Sequence, residues 1–303
     1  MQNEITIYEC TEIAEQERFW KYLKEYFVRD IFPGEVNCFH GSEEYRQNIS
    51  ALHDRDENPI HYLVFCQNGQ EIGFALTVVY QTEDSKQFIL EFCVFPEFRG
   101  GGTGKRCAAA LLNWGRENGA KFAELNADTD ARQRFWKYLG FVPNGRDQWG
   151  EPLMLLPPQE KIVPVVEILT DVQDLWNLES GFLQEVGEPP LDAEKKERLV
   201  RAIEEKQIVF FVAKRLNRPV GICSVSPCFS TFACKCCGIF DDFYVEPAFR
   251  KQGIARLLVS QVRNWCTQQG CASILVGCSA GDLKMYQSLG FADELGRMLA
   301  MNL

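Results

Sequence analysis

Apolar and polar positions along the chain follow two periods in turn, and each change of period marks an element. Glu4 to Tyr8 alternates like a first strand. Ile13 to Phe27 shifts to the helical period, with Phe19, Trp20, Leu23, Tyr26 and Phe27 as its apolar stripe. The stretch from Ile31 to Asn58, with Pro33, Gly34 and scattered charges, keeps neither period. His61 to Gln67 and Gly73 to Tyr80 read as strands joined across Asn68-Gly69, a pair that favours the left-handed backbone of a two-residue hairpin turn. Gln87 to Val94 reads as a third strand and Gly104 to Asn118 as a helix. A strand over Lys121 to Asn126, a helix over Arg132 to Leu139 ended by Gly140, and a strand near Leu153 to Leu156 complete the series.

The same order then restarts. Pro157, Pro158 and Pro164 bracket a short linker. Beyond it Val165 to Leu169 is a strand, Val172 to Val186 and Ala193 to Glu205 are helical, and Ile208 to Ala213, Val220 to Ser226 and Cys237 to Val245 are strands. A helix with Ile254, Leu257, Leu258, Val262 and Trp265 on one face follows, then a strand over Ala272 to Val276, a helix over Gly281 to Leu289 and a strand over Met298 to Asn302. The restart is a duplication in sequence as well as in pattern. EFCVFPEFRGGGTG at 91–104 repeats as DFYVEPAFRKQGIA at 242–255, so that Pro96 and Pro247, Arg99 and Arg250, and Gly102 and Gly253 are each 151 residues apart. Trp114 and Trp265, and Gly119 and Gly270, keep that spacing, and the Leu-Gly-Phe ending at Phe141 recurs ending at Phe291. Two domains are expected, 1–158 and 165–303, joined by a linker at 159–164. Each should hold a mixed, mostly antiparallel sheet with helices on both faces.

The most informative run is strand, turn and helix from Ile239 to Trp265. Arg250-x-x-Gly253-x-Ala255 stands where the unpaired N–H groups and the positive end of a helix dipole point outward, a setting that favours phosphate. Gly253 and the small Ala255 leave room for a bulky anion. In the first copy, three consecutive glycines are entropically costly unless something must approach the backbone closely. This run resembles the cofactor signature of the GNAT N-acetyltransferase superfamily, strand then R/Q-x-x-G-x-G/A then helix. The resemblance implies an α/β (mixed α+β) fold and acetyl-CoA as cosubstrate. Its pyrophosphate would lie on Arg99, Gly100, Gly101, Gly102, Thr103 and Gly104 in one copy and on Arg250, Lys251, Gln252, Gly253, Ile254 and Ala255 in the other. It also implies that the preceding strand splays from its neighbour and that the backbone of Cys93 and Val94, or of Tyr244 and Val245, binds the pantetheine arm. The irregular Ile31 to Asn58 stretch would then form part of the acceptor pocket.

Acetyl transfer to an amine needs a neutral amine, a donor for the carbonyl and a proton for the leaving thiolate. By the resemblance, Tyr286 is the general acid, since a phenol keeps its proton at neutral pH; otherwise it is a helix tyrosine packed on the sheet. Asp242, with Glu91 as its counterpart, is the carboxylate that would take the amine proton. Asp241 is its neighbour, and strand alternation turns only one of the two inward. The first copy carries Trp136 in place of Tyr286 and has Tyr138 on another side of the helix. That half is therefore expected to bind CoA, with transfer expected in the second half.

Composition narrows the class without changing it. The 303 residues suit two ordinary domains, and 46% hydrophobic with 24% charged residues is a globular composition. No run approaches eighteen apolar residues, and MQNEITIYEC lacks the features of a signal peptide, so a cytoplasmic protein without a membrane partner is expected. A net charge of −10, with most of the excess in the first half, argues against a nucleic-acid partner and mildly favours a cationic substrate such as an amine. The 13 cysteines lack paired spacing and read as reduced thiols. Cys228, Cys234, Cys236 and Cys237 cluster, but adjacent Cys236 and Cys237 would point to opposite faces of a strand, so no metal is expected. His40, His53 and His61 all fall in the first half, which excludes a histidine mechanism in the second.

The function expected is an N-acetyltransferase moving acetyl from acetyl-CoA to a primary amine of a small molecule, peptide or protein by direct attack, without a covalent enzyme intermediate. The alternative is that one half, the first, only binds CoA in a structural or regulatory role. A dinucleotide-binding protein is disfavoured because neither half opens with a strand feeding G-x-G-x-x-G.

Overall fold

The structure is a computed structural model describing residues 4–35, 38–158 and 163–296. The chain divides into two compact units, Met1–Glu160 and Lys161–Leu303.

In the first unit, strands β1 (Thr6–Glu9), β2 (Ile60–Gln67), β3 (Gln70–Val79), β4 (Lys86–Val94), β5 (Phe122–Asn126), β6 (Val142–Arg146) and β7 (Pro152–Leu156) lie in the order β1-β2-β3-β4-β5-β7-β6. Only β4 and β5 run parallel; the other pairs are antiparallel. Alternation along each strand feeds two cores. Leu63 and Phe65 face α3 (Thr103–Glu117) and α4 (Asp130–Tyr138), packing with Cys107, Leu111 and Trp136. Tyr62 and Val64 face α1 (Ile13–Tyr26) and α2 (Glu43–His53), packing with Phe19, Leu23 and Ile49. The β2–β3 hairpin closes on Asn68 and Gly69, both at positive φ (51° and 76°), as its sequence requires.

The second unit repeats the plan. Strands β8 (Val165–Ile168), β9 (Val209–Arg215), β10 (Arg218–Ser230), β11 (Lys235–Val245) and β12 (Ile274–Val276) stand in the order β12-β11-β10-β9-β8, with only β11 and β12 parallel. Helices α5 (Gln173–Val186) and α6 (Ala193–Glu204) contribute Leu175, Leu178 and Leu199 to a core with Phe210, Val212, Ile222 and Tyr244. Helix α7 (Ile254–Gln268) buries Ile254, Leu258, Val262 and Cys266, and each such aliphatic side chain contributes about 1.5–3 kcal/mol when fully buried. The short α8 (Leu283–Ser288) follows β12. The strand expected over Met298 to Asn302 lies outside the described residues.

Two elements depart from the sequence reading. The stretch over Ile31 to Asn58 contains α2, started by Ser42, whose Oγ accepts from the Tyr45 amide at 3.2 Å. Its apolar stripe is thin because Ile49 is its one buried residue, so the period was too weak to read. Strand β6 was hidden by Pro143 and Gly145, residues that sheets tolerate at an edge, and β6 is the edge strand beside β7.

Candidate active site

In both units the fourth strand, β4 or β11, parts from its parallel neighbour halfway along. Lys86, Gln87 and Phe88 pair with Phe122, Ala123 and Glu124, and the pairing stops there, leaving Ile89 to Val94 open on that side. In the second unit Gly238, Ile239 and Phe240 pair with Ile274, Leu275 and Val276, and Asp241 to Val245 are open. Cys93, Val94, Tyr244 and Val245 lie in these splayed segments, and an unpaired strand edge offers N–H and C=O groups to a ligand. Their other edge stays paired, Gly73 opposite Val94 and Gly221 opposite Val245. A Cβ on Gly73 would stand 2.2 Å from the Cys93 carbonyl oxygen, and one on Gly221 would stand 3.1 Å from that of Tyr244. Glycine is what lets the strands close behind the gap.

Each open strand runs through a single turn of 3-10 helix, 96–98 or 247–249, into the glycine turn and a helix. Gly100, Gly101 and Gly102 all have positive φ (97°, 54° and 77°), as do Lys251 (61°) and Gly253 (87°). The Thr103 amide donates to the Gly100 carbonyl (3.0 Å) and the Arg106 amide to that of Gly102 (3.2 Å), which closes the turn onto α3; Leu257 donates likewise to Gly253 (3.2 Å). A Cβ at Gly100, Gly101 or Gly253 would meet nothing within 4 Å, so the space over both turns is open. Open space, left-handed glycines and the first amides of a helix fit a diphosphate, and the two turns fit the pyrophosphate of a CoA thioester. Thr103, Gly104, Gln252, Ile254 and Ala255 complete them, with Thr103 and Ile254 buried. The motif arginines are committed elsewhere. Arg99 Nε donates to the Val94 carbonyl (2.8 Å) and its terminal nitrogens to Asp30 (3.2 and 2.5 Å). Arg250 Nε donates to the Val245 carbonyl (2.8 Å) and Nη2 to Glu185 on α5. They tie the turn to the strand end and to the helix before it, so the turns present backbone amides to an anion.

A β-bulge lies in each open strand, where bulges re-aim side chains. Leu90 is unopposed between the Leu76–Glu91 and Thr77–Ile89 pairs. Glu91 beyond it lies near Tyr26 of α1, and burial pushes its carboxyl up to about 8 despite Tyr26 and the Arg132 charge. In β11, Asp242 and Phe243 stand opposite Cys223, and Asp242 has φ 49°. The bulge interrupts strict alternation, so the Asp242 direction is set by this turn of backbone and by Ser224, whose Oγ donates to Asp242 Oδ2 at 2.6 Å. Asp241 is exposed, while Asp242 is half-buried and its carboxyl is pushed up by burial.

Tyr286 on α8 takes the place that Trp136 holds on α4. Trp136 packs on Phe92 and Phe141 at 5.3 and 5.1 Å between ring centroids; Tyr286 packs on Phe243 and Phe291 at 6.1 and 5.7 Å. Trp136 is buried and carries no acidic proton, whereas burial and the charges of Asp282 and Asp241 push the Tyr286 phenol up to about 12. Tyr138 is exposed under Lys105, away from the gap. One residue escaped the sequence reading. Glu179 of α5 is 7% exposed, and burial with the charges of Asp242 and Asp241 pushes it up to about 7. Its signal was present: Leu175, Leu178, Glu179 and Phe182 form one helical stripe, and an acid there is out of place in an apolar face.

Among the described residues no His, Cys, Asp or Glu side chains gather as metal ligands, and no helix is long and apolar enough to cross a membrane. No curated protein sequence matches the chain. Similar solved structures include an acetyltransferase from Trypanosoma brucei (22% identity, 46% of this chain and 100% of that one, TM-score 0.40). Glucosamine-6-phosphate N-acetyltransferase from Arabidopsis thaliana is another (18%, 45% and 98%, 0.37). An aminoglycoside acetyltransferase from an uncultured soil metagenomic sample, in complex with sisomicin, is a third (20%, 46% and 96%, 0.43). The acetyltransferase (GNAT) family profile matches residues 17–141 and again 172–291. Both splayed strands and both glycine turns fall within those two matches, and the chain belongs to the acetyltransferase (GNAT) family of acyl-CoA-dependent N-acyltransferases, with two such domains in tandem.

Proposed function

We propose that the protein transfers acetyl from acetyl-CoA to a primary amine of a small molecule or peptide, that both turns bind the cosubstrate, and that the second unit carries the chemistry. The observation that supports this reading most is the placement of a proton donor and a proton acceptor about one gap. The Tyr286 ring packs on Phe243 of the open strand, 6.1 Å between centroids, and Asp242 is the residue before Phe243.

Acetyl-CoA supplies the thioester and, on transfer, a thiolate that needs a proton. The protein supplies the rest. Amides of 251–255 hold the anionic end, and the open edge of Tyr244 and Val245 orients the arm. Asp242, held up by burial, accepts the amine proton directly or through water, and Tyr286, which retains its proton at neutral pH, donates one where the thiol forms. No side chain here needs to carry the acetyl group, so attack is direct.

Trp136 supports a second reading for the first unit, in which it binds acetyl-CoA without transferring it. Thiol release measured against a panel of aminoglycosides, polyamines, amino acids and peptides tests the main proposal. At least one amine should drive release, and Asp242→Asn should cut that rate by about a hundred-fold or more. Release with no amine in the panel, or an unchanged rate in the variant, would remove it.

A further inference from the structure

Arg132 is a cation in the first turn of α4, the end of a helix where the dipole disfavours positive charge. Two partners outside the helix ladder hold it there. Nη1 pairs with Asp128 Oδ1 at 2.6 Å, and Nη2 donates to the Asp30 carbonyl at 3.2 Å, 102 residues away in sequence. Asp30 lies in Phe27–Ile31, the wide last turn that continues α1, where carbonyls lack partners within the helix and the dipole favours a cation. The end of α1, more than α4, accounts for where the guanidinium sits.

These bonds join the two strand ends that frame the first gap. Arg99 ties the carbonyl of Val94, the last residue of β4, to the Asp30 carboxylate. Arg29 Nη2 holds the same carboxylate at 2.8 Å and reaches the Cys93 thiol at 3.7 Å. Asp128 comes two residues after β5 ends at Asn126. The run Val94, Arg99, Asp30, Arg132, Asp128 therefore crosses from the end of β4 to the end of β5, over the mouth that opens where their pairing stops. Helix α4 packs in the core on one face of the sheet, through Phe135 and Trp136, and Phe27 and Ile31 pack in the core on the other. Arg132 links the two layers at this opening. The second unit keeps only the near half of the run. Arg250 is bonded to Val245 and Glu185 as Arg99 is to Val94 and Asp30. With Tyr286 in the place of Trp136, Asp282 stands in the place of Arg132, its carboxylate accepting from Ser279 Oγ at 2.6 Å. An anion there cannot bridge to Glu185.

We propose that Arg132 is a latch across the mouth of the first gap, which a thioester arm entering between β4 and β5 must displace from Asp30. The proposal rests on the reading that the first turn takes acetyl-CoA. Asp128 lies on the α4 side of the mouth, so its pair with Nη1 can persist while Nη2 leaves Asp30. The motion required is the rotation of one side chain. The base of the latch stays fixed, because the Phe135 ring stands 3.3 Å from where a Cβ on Gly104 would lie and holds α4 against the first turn of α3. The latch makes the two sites unequal toward one ligand. Both turns offer a pyrophosphate the same backbone amides, but an arm entering the first gap has to break a charge-assisted hydrogen bond that the second gap does not contain.

The experiment uses the full chain carrying Gly253→Asp, so that the first turn is the site measured. Calorimetry follows two probes, acetyl-CoA and ADP, which carries the diphosphate without the arm. Arg132→Ala should tighten acetyl-CoA binding by about threefold to tenfold, the usual net effect of one hydrogen bond, and leave ADP binding unchanged. Arg132→Met keeps an unbranched stem without donors and should do the same, which guards against a disturbance of α4 by the smaller side chain. Weaker acetyl-CoA binding in both variants would make Arg132 a contact of the ligand and overturn the latch. So would an unchanged affinity. Equal tightening of both probes would place the effect of Arg132 on the turn and would overturn it too. In those three outcomes the first turn still binds acetyl-CoA and only this inference fails. A Gly253→Asp chain that binds neither probe, with or without Arg132→Ala, overturns the underlying reading as well.

Discussion

Burial beside the bulge raises the Glu91 carboxyl to about 8, outweighing the opposing influence of Tyr26 and the charge of Arg132. Between the unfolded value near 4.5 and the folded value near 8, Glu91 holds more proton in the native unit than in the unfolded chain, so its contribution to stability falls as pH rises. His40, lowered by burial, contributes in the opposite direction around its ordinary value. Thermal unfolding followed from pH 5 to 8.5 should show the Glu91 decline, and Glu91→Gln should flatten it. Tyr286→Phe should lower turnover by about a hundred-fold to ten-thousand-fold with acetyl-CoA affinity retained, the usual loss on removing a general acid. Trp136→Phe, which changes only a packed ring, should leave turnover nearly unchanged. Stopped-time assays of both variants beside titrations with acetyl-CoA separate the two. Asp242 stood out because the duplication sets Glu91 at its position, and Tyr286 because of the resemblance, the duplicate position holding Trp136. Glu179 left a weaker signal, a single acid interrupting the apolar stripe of Leu175, Leu178 and Phe182.

At the scale of elements, the gap depends on closure behind it as much as on splaying in front. Gly73 has no room for a methyl group against the Cys93 carbonyl, whereas Gly221 stands at a distance that small shifts can relieve. Gly73→Ala should cost about 1–3 kcal/mol, the range for overpacking a tight contact, and Gly221→Ala less. Chemical denaturation would measure both, and equal small losses would show that the paired edge is not a constraint. Strands β2 to β4 and helices α3 and α7 were legible because long apolar patterns and the Asn68-Gly69 turn agree. Helix α2 and strand β6 were not: one has a single buried side chain, and the other carries turn residues at an edge where few ladder bonds are lost. The bulges could not be foreseen either, since one unopposed residue leaves no trace in a period of two.

Across the whole molecule, duplication produced two glycine turns with unequal side chains beside them. Among the described residues, 1–158 and 165–303 each hold a sheet, helices and a core of their own, and each fragment should fold by circular dichroism; two unfolded fragments would mean a shared core. On the proposed function, both turns bind acetyl-CoA while the second unit does the transfer. Gly102→Asp and Gly253→Asp each set an anion against one turn, at positive φ that aspartate tolerates better than most residues. Calorimetry joined to thiol-release assays on these two variants tests the claim most directly. The wild-type chain should bind two acetyl-CoA and each variant one, with transfer retained in Gly102→Asp and lost in Gly253→Asp. Two sites remaining in either variant, or transfer lost in Gly102→Asp and kept in Gly253→Asp, would contradict it.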